Sequence, residues 1–315
     1  MTKRVLIITS KNERTVGWPQ RERYVQAFCD AVTNALDDAE LIYTTYDNLE
    51  YAIINGHTTI WDSRHKFDIK EAQLVHFKNW EYNDREAPVI ARYLHLNGVA
   101  FFNAEVGQTT ALGKLWQMVL LSAQNLPVPD TFYASKERLK QLFAGDELPA
   151  PFRYPLIMKA NDGSRGDDNH LIHSAEQALD ILTASDPHKE YILQTFIPND
   201  GDFRFLFIGL DEKPLVFHRK GAAGTHLNNT SKGGTGHFYD LSEIPPAHVQ
   251  YARRAAEVLG REIGGVDILV DKKTNKAYIL EVNGTPALAT GYGTDTKLTH
   301  FVRFVRQTME GREEE

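Results

Sequence analysis

Two polar side chains stand at the end of an otherwise apolar strand near residue 280. The run KAYIL leads into EVNGTP, so Glu281 and Asn283 directly follow residues typical of a buried strand. Residues two apart on a strand point to the same face, which predicts that Glu281 and Asn283 face one way while Leu280 and Val282 face the other. The pattern indicates that something polar lies on the face of Glu281.

A third acidic side chain is predicted opposite this pair. The strand GGVDILVD comes just before, and the segment DKKTNK between the two strands has the residues of an exposed turn. A hairpin centred near Thr274 places Asp267 directly opposite Glu281. Like charges that face each other destabilise a sheet, and a divalent cation would reverse that effect. Oxygen ligands without His or Cys suit Mg²⁺ or Mn²⁺, whereas the alternative is a solvated polar face on an edge hairpin.

The composition is that of an ordinary globular chain. It has 315 residues, 42% of them hydrophobic, and a formal net charge of −7, which argues against nucleic-acid binding through bulk charge. No segment resembles a signal peptide or a membrane span, so we expect a cytoplasmic protein without a membrane partner. Cys29 is the only cysteine, which excludes an intrachain disulfide, and its spacing predicts a buried helix position. The sequence leaves open whether the chain forms a homo-oligomer.

Strand and helix patterns predict the organisation of the chain. The first third alternates between strand and amphipathic helix, beginning with RVLIIT and QRERYVQAFCDAVTNALDD. A long helix is predicted near GQTTALGKLWQMVLLSAQN, and the prolines of LPVPDTF end it. Beyond this boundary the pattern gives strand, helix, the strand PLIMKA, a glycine-rich turn, another helix, and then mainly strands up to the helix PAHVQYARRAAEVLG.

The glycine-rich turn after PLIMKA is a candidate phosphate-binding loop. Neither a dinucleotide fingerprint nor a GxxxxGK[ST] loop occurs in the chain. The loop NDGSRG contains Gly163, Ser164 and Gly166, which let backbone N–H groups approach an anion closely. Lys159 precedes the loop on the strand and can add a positive charge. Taken alone, a hairpin turn with a surface lysine explains this stretch better.

Charged side chains also lie at the ends of two later strands. Asp202 and Arg204 in GDFRF share one face, and Arg219 closes KPLVFHRK. An Asp or Arg that faces inward needs a partner. A polyanion with a metal ion would supply that partner.

Four segments of the chain resemble a known enzyme superfamily. In order, PLIMKANDGSRG, YILQTFIPNDGDFRF, GGVDILV and YILEVNGTP resemble the motifs of ATP-grasp proteins, most closely RimK-type carboxylate–amine ligases. The resemblance extends from about Lys114 to the end of EVN. It implies an α/β (α+β) protein, with an ATP-grasp fold behind a Rossmann-like N-terminal α/β domain. The implied division is 1–108 for that domain, 109–190 for the central lobe with the glycine-rich loop, 191–310 for the C-terminal lobe with the metal site, and 311–315 for a tail.

The resemblance also implies roles for individual residues. ATP would bind with Mg²⁺ or Mn²⁺, expected as two ions, between its phosphates and the acidic face. Lys114 and Lys159 would contact the phosphates and the adenine side, and Arg219 would stabilise an acyl phosphate. The implied positions are nucleotide contacts (Lys114, Lys159, Gly163, Ser164, Gly166 and Arg204), an adenine hinge (Gln194, Thr195 and Phe196), a ribose contact (Asp202), metal ligands (Asp267, Glu281 and Asn283) and a catalytic pair (Arg219 and Asn229).

The implied activity is ATP-dependent formation of an amide or peptide bond. A substrate carboxylate would take the γ-phosphate of ATP, and an amine would then displace phosphate from the acyl phosphate. The expected substrates are an amino acid and an amino acid, peptide or protein that accepts it. The alternatives are a kinase-like enzyme that stops after phosphoryl transfer, a non-catalytic ATP-binding module of the same fold, and an interaction protein unrelated to ATP.

Overall fold

In the computed structural model, the strands within the described residues form four sheets. The structure describes residues 3–10, 18–36, 38–54, 57–83, 86–107, 113–162, 168–187, 189–210, 213–222, 226–228 and 234–310. No helix in these ranges is long and apolar enough to cross a membrane.

A parallel sheet is the centre of the N-terminal part. Its elements are β1 (Lys3–Thr9), α1 (Trp18–Ala35), β2 (Ala39–Thr45), β6 (Leu74–Lys78), α2 (Glu86–Leu96) and β7 (Ala100–Phe102), with strand order β2-β1-β6-β7. Alternate residues of β1 face opposite sides of the sheet: Val5 and Ile7 join the cluster that contains Cys29 of α1, whereas Leu6 and Ile8 join the cluster of α2. The sheet is therefore covered on both faces, as expected for a Rossmann-like domain.

A small antiparallel sheet follows β2 along the chain and was not predicted. It consists of β3 (Leu49–Ile54), β4 (His57–Asp62) and β5 (Phe67–Asp68). The sequence does contain a signal for it, because the dipeptide NG separates β3 from β4 and is a strong hairpin marker.

The central lobe contains an antiparallel sheet with helices on one face. Its elements are β8 (Thr131–Tyr133), α4 (Lys136–Ala144), β9 (Leu156–Ala160), β10 (Asn169–Ile172), α5 (Ala175–Ala184) and β11 (Tyr191–Thr195), with strand order β10-β9-β11-β8. Leu156, Met158 and Ala160 of β9 pack with the helices, so Ile157 and Lys159 face the other way. The division between the two lobes at 190/191 stays a prediction. Strand β11, which begins at Tyr191, pairs with β9 and belongs to this sheet.

The C-terminal lobe contains a five-stranded antiparallel sheet. Its elements are α3 (Lys114–Ala123), β12 (Asp202–Ile208), β13 (Leu215–Lys220), β14 (Thr235–Tyr239), α6 (Pro246–Val258), β15 (Ile263–Val270), β16 (Ala277–Asn283) and α7 (Thr294–Glu310), with strand order β14-β13-β12-β15-β16. Phe205 and Phe207 pack with α3 and α6, whereas Leu206 and Ile208 on the opposite face pack with α7 and the N-terminal domain. Asp202 and Arg204 lie on the same face as Leu206 and Ile208, at the other end of β12.

The structure corrects one predicted helix and adds another. The long helix predicted near GQTTALGKLWQMVLLSAQN begins only at Lys114, because Gly113 before it has a φ of 117°, outside the helical range. The predicted burial of Cys29 is confirmed, and burial raises the pKa of its thiol to about 12. Helix α7 was not predicted, although Phe301, Val302 and Val305 give it a buried face.

Candidate active site

A cleft of about 110 Å³ lies between the sheet of the central lobe and the five-stranded sheet. Eight of the residues predicted for the site line it, and they come from both sheets and from the start of α3. They are Lys114, Lys159, Gln194, Thr195, Phe196, Asp202, Asp267 and Glu281. Gly163, Ser164, Gly166 and Asn229 lie outside the described residues.

Two lysines supply positive charge to this cleft. Lys159 of β9 is 7% exposed, and burial lowers its pKa to about 8 against the opposing attraction of Glu281. Lys114 opens α3, and burial lowers its pKa as well. Its position is fixed by Asn161, whose carbonyl accepts from the Lys114 amide at 2.9 Å and whose Oδ1 accepts from the Leu115 amide at 2.9 Å. The surface-lysine explanation is therefore wrong for Lys159.

The end of β11 forms one wall of the cleft. Gln194 Nε2 donates to Thr131 Oγ1 at 2.8 Å, and the Thr195 amide donates to the Asp130 carbonyl at 3.1 Å. The Thr195 N–H is thus already used within the protein, and any hinge contact through that residue needs another of its groups. Beside these residues, the cleft is lined by apolar side chains: Ile157, Phe196, Ile197, Leu269 and Leu280.

The hairpin of β15 and β16 has the predicted register at its acidic end. Asp267 is paired with Glu281, and Asp267 is 3% exposed, which excludes a solvated polar face for this residue. A β-bulge follows, since Ile268 pairs with Ile279 and Leu280 is left without a partner. The prediction that Leu280 faces away from Glu281 is wrong, because the bulge re-aims its side chain and both residues line the cleft.

Two arginines hold the acidic residues of this face in a buried network. Arg204 Nε and NH2 donate to the two carboxylate oxygens of Asp267, each at 2.6 Å. Arg219 Nε and NH2 donate to the two carboxylate oxygens of Asp202 at 2.7 and 2.8 Å. Arg219 also reaches Asp267 Oδ2 at 2.9 Å. These residues therefore supply one another's partners, and their burial does not require a polyanion with a metal ion.

The network also sets the charge state of the two carboxyl groups. Burial acts to raise the pKa of Asp267, but the attraction of Arg204 and Arg219 outweighs it and the pKa is lowered. Burial raises the pKa of Asp202 despite its bond to Arg219. Because both oxygens of Asp202 accept from Arg219, a ribose contact at this residue would share a carboxylate that is already engaged.

Asp267, Glu281 and Asn283 fit a hard divalent cation. Asn283 Nδ2 lies 3.0 Å from Glu281 Oε1 and 3.5 Å from Asp267 Oδ2, so the three side chains converge. A half-turn of the carboxamide would direct its oxygen to the same point. The described residues contain no group of three or more His, Cys, Asp or Glu that could hold a metal, so further ligands would come from nucleotide phosphates, as is usual for Mg²⁺.

The segment 226–228, which directly precedes the predicted Asn229, contributes three of the residues that line the cleft. His226 Nε2 lies 3.1 Å from Asn169 Oδ1 of the central lobe, and Asn228 Nδ2 donates to Asn199 Oδ1 at 3.0 Å. These polar side chains from separate loops have no periodic pattern that could reveal their meeting. Together they connect the two sheets across the site.

Comparison with known proteins places this fold and cleft in a family. A model of the RimK-like ATP-grasp domain matches residues 111–300. A probable alpha-L-glutamate ligase of Syntrophotalea carbinolica is 26% identical over 295 residues, which cover 86% of this chain and 94% of that protein. A probable alpha-L-glutamate ligase of Vibrio cholerae is 30% identical over 203 residues, covering 63% of this chain and 64% of that protein.

Solved structures give the same fold at lower sequence identity. D-alanine–D-alanine ligase from Bacillus anthracis complexed with ATP has a TM-score of 0.66 at 14% identity, covering 100% of both chains. The ATP-grasp ligase PsnB complexed with a minimal precursor has a TM-score of 0.66 at 14% identity, covering 98% of this chain and 100% of that one. The two facing sheets thus define an ATP-grasp fold. The chain belongs to the RimK-like ATP-grasp family and is an ATP-grasp ligase of the carboxylate–amine type.

Proposed function

We propose that this protein joins a carboxylate to an amine by way of an acyl phosphate, with ATP and Mg²⁺ or Mn²⁺ bound in the cleft. The observation that carries the proposal is the convergence of Lys114 and Lys159 with Asp267 and Glu281 in one cleft. Cations on one side and acids on the other suit a phosphate chain held between lysines and a metal ion.

The lysines are the groups available to hold phosphate oxygens. Lys159 is buried, and its ammonium group makes no hydrogen bond or ion pair with the described residues, so a phosphate would give it the partner that its burial demands. Lys114 is anchored through Ala160, whose carbonyl accepts from Lys114 Nζ at 3.1 Å. In this proposal the two lysines orient the γ-phosphate toward the carboxylate substrate.

Asp267, Glu281 and Asn283 are the proposed metal ligands. A divalent ion held by them would neutralise negative charge that develops during phosphoryl transfer. Arg204 keeps Asp267 ionised at neutral pH, as the lowered pKa of this carboxyl group indicates. Glu281 accepts from Asn283 through one oxygen, which leaves most of its acceptor capacity for an ion.

The proposed reaction needs no protein nucleophile. A carboxylate oxygen of the substrate forms a bond to the γ-phosphorus while the bond to the ADP oxygen breaks. The amine nitrogen then bonds to the acyl carbon, inorganic phosphate leaves, and the amine proton passes to solvent. Arg219, aimed at the acidic face, and Asn229 are proposed to stabilise the acyl phosphate and the charge on its leaving oxygen.

The substrates are proposed to be an amino acid together with an amino acid, peptide or protein terminus. The relatives that support this class are named probable alpha-L-glutamate ligases, and the PsnB structure holds a precursor. The adenine would lie on the apolar wall beside Gln194, Thr195 and Phe196, as proposed for the hinge.

The experiment that tests this proposal is a trapping assay for acyl phosphate. The protein is incubated with ATP, MgCl₂, hydroxylamine and single members of a panel of amino acids and short peptides. We expect substrate-dependent ADP release together with a hydroxamate. ADP release without hydroxamate would favour a kinase-like enzyme, and nucleotide binding without ADP release would favour a non-catalytic module. Absence of ATP·Mg²⁺ binding would reject the proposal.

A further inference from the structure

The end of β16 is held by side chains from three other parts of the chain. β16 is an edge strand, so one row of its backbone groups finds no partner in the sheet. Gln117 Oε1 of α3 accepts from the Val282 amide at 2.8 Å, and the Arg261 guanidinium donates to the Val282 carbonyl. Asn103 Nδ2 donates to the Gly284 carbonyl at 2.9 Å. The two peptide groups that flank Val282 and the peptide group that follows Gly284 are therefore fixed from outside the sheet, on either side of Asn283.

Arg261 is itself held by a buried acid of the N-terminal domain. Arg261 Nε lies 3.2 Å from Glu105 Oε1, and the two side chains are 11% and 7% exposed. A Cβ added to Gly284 would lie 3.2 Å from Glu105 Oε1 and 3.3 Å from Arg261 Cζ. This ion pair thus packs directly against the backbone that follows Asn283.

The backbone around Arg261 joins the same two domains. Gly260, with a φ of 62°, ends α6 and turns the chain so that Arg261 points back to β16. The next residue, Glu262, accepts from the amides of Asn103 and Ala104 at 2.9 and 3.3 Å. Residues 103–105 of the N-terminal domain therefore contact the chain at two places. These are Glu262, just before β15, and Gly284, just after β16.

We propose that Glu105, Arg261 and Asn103 are positioning residues for the metal site, and that the N-terminal domain sets the metal affinity of the C-terminal lobe through them. This inference rests on the proposed assignment of Glu281 and Asn283 as metal ligands. An ion held by three side chains requires their backbone to stay in place, and outer residues that orient ligands control affinity in other metal sites. None of the three residues faces the cleft, so they act only through β16.

Mn²⁺ binding in the presence of saturating ADP tests the inference. Free Mn²⁺ is measured by electron paramagnetic resonance for the wild type, Glu105→Gln and Arg261→Lys, and ADP binding without metal is measured by calorimetry. We expect the Mn²⁺ affinity to fall about 10- to 100-fold in both variants. ADP affinity without metal should stay unchanged, because its proposed contacts lie on β9, β11 and β12 and at the start of α3 rather than on β16.

A surface ion pair on α6 provides the matched control. Arg254 NH1 lies 3.2 Å from Glu257 Oε2, with side chains 53% and 37% exposed. Arg254→Lys and Glu257→Gln make the same chemical changes away from β16 and should leave the Mn²⁺ affinity as in the wild type. The double variant of Glu105 and Arg261 should lose no more affinity than the larger single loss, because the two residues act as one unit.

A further variant keeps the inference testable if Glu105→Gln or Arg261→Lys fails to fold. Gly284→Ala places a methyl group against the ion pair without removing either charge, and we expect the same direction of change in Mn²⁺ affinity. Reduced stability in urea with wild-type Mn²⁺ affinity in Glu105→Gln and Gly284→Ala would show a structural role alone and overturn the inference. A wild type that binds ADP but no Mn²⁺ would instead overturn the proposed metal site, and the inference with it.

Discussion

The two sheets that face each other across the cleft hold their buried cations in different ways. On the five-stranded sheet, Arg204 and Arg219 are each bound to a carboxylate within 2.8 Å. On the central-lobe sheet, the Lys159 ammonium group forms no hydrogen bond or ion pair with the described residues. Its interaction with Glu281 and Asp267 is electrostatic attraction at longer range. The arginines therefore stabilise the five-stranded sheet in the free protein, whereas no described residue forms a hydrogen bond with the Lys159 ammonium group. Removal of a paired buried charge should destabilise the protein, whereas removal of an unpaired one should not. The comparison can therefore be tested by substitution.

Removal of Arg219 should give the largest effect on stability. In Arg219→Met, Asp202 stays buried without its cation, and we expect the free energy of unfolding to fall by about 3–5 kcal/mol. Urea unfolding at pH 7 measures this. Arg254→Met, at an exposed site on α6, is the control and should change the free energy by less than about 0.5 kcal/mol. A similar loss in both variants would contradict the difference between the two sheets.

Removal of Glu281 should affect chemistry rather than folding. We expect Glu281→Ala to lower the ligation rate by about 10²–10³-fold, equivalent to about 2.7–4 kcal/mol of barrier, because the proposed metal loses a carboxylate. The melting temperature should stay close to that of the wild type, since Glu281 accepts a single hydrogen bond from Asn283. Asp180→Ala, at an exposed position on α5, serves as the control. Wild-type turnover in Glu281→Ala would reject the metal assignment.

Removal of Lys159 should weaken nucleotide binding without loss of stability. A charged hydrogen bond to phosphate contributes about 1.5–3 kcal/mol, so ATP affinity in Lys159→Met should fall by roughly 10- to 100-fold in calorimetry. The free protein should be no less stable at pH 7, because a buried ammonium group without a hydrogen-bond partner is replaced by an apolar side chain. Lys140→Met on α4 is the control. Destabilisation of Lys159→Met would mean that Lys159, like Arg219, maintains its sheet.

The pH dependence of stability should also distinguish Lys159 from the paired arginines. The pKa of Lys159 is about 8 in the folded chain against an ordinary value of 10.5, so between these values the unfolded chain binds more protons. Stability should therefore rise with pH across this window, by up to about 1.4 kcal/mol per pH unit from Lys159. Lys297, whose pKa burial also lowers to about 8, adds in the same direction. Urea unfolding of Lys159→Met from pH 7.5 to 10 should show a reduced slope, and an unchanged slope would contradict the unpaired state of Lys159.

Local patterns were enough to predict the elements that carry the site. The alternation of apolar and polar residues and the polar turn DKKTNK predicted the hairpin and the pairing of Asp267 with Glu281. The turn itself is centred between Lys273 and Thr274, since Val270 pairs with Ala277, and the extra residue Leu280 between the turn and the acidic pair brings Asp267 opposite Glu281 as predicted. A single extra residue has no mark in an apolar run, so the facing of Leu280 could not be predicted.

Partners of buried charges were the weakest predictions. Asp202, Arg204 and Arg219 were recognised as inward-facing, but their bonds to one another depend on which strands become neighbours. Strand β13 follows β12 along the chain and pairs with it, but β15 pairs with the other edge of β12, and no local repeat in the sequence marks that arrangement. A ligand was therefore inferred where the protein itself supplies the partners.

The amino-acid sequence by itself determined the family, the strand that carries Lys159 and the acidic hairpin, since each depends on residues close together in the chain. Only the tertiary structure decided that Asn103 would hold Gly284, a residue 181 positions away, and that Glu105 would aim Arg261 at the strand of the metal ligands. The physical reason is that short-range periodicity fixes which way a side chain points from its own element, whereas contacts between elements depend on how whole sheets and helices pack.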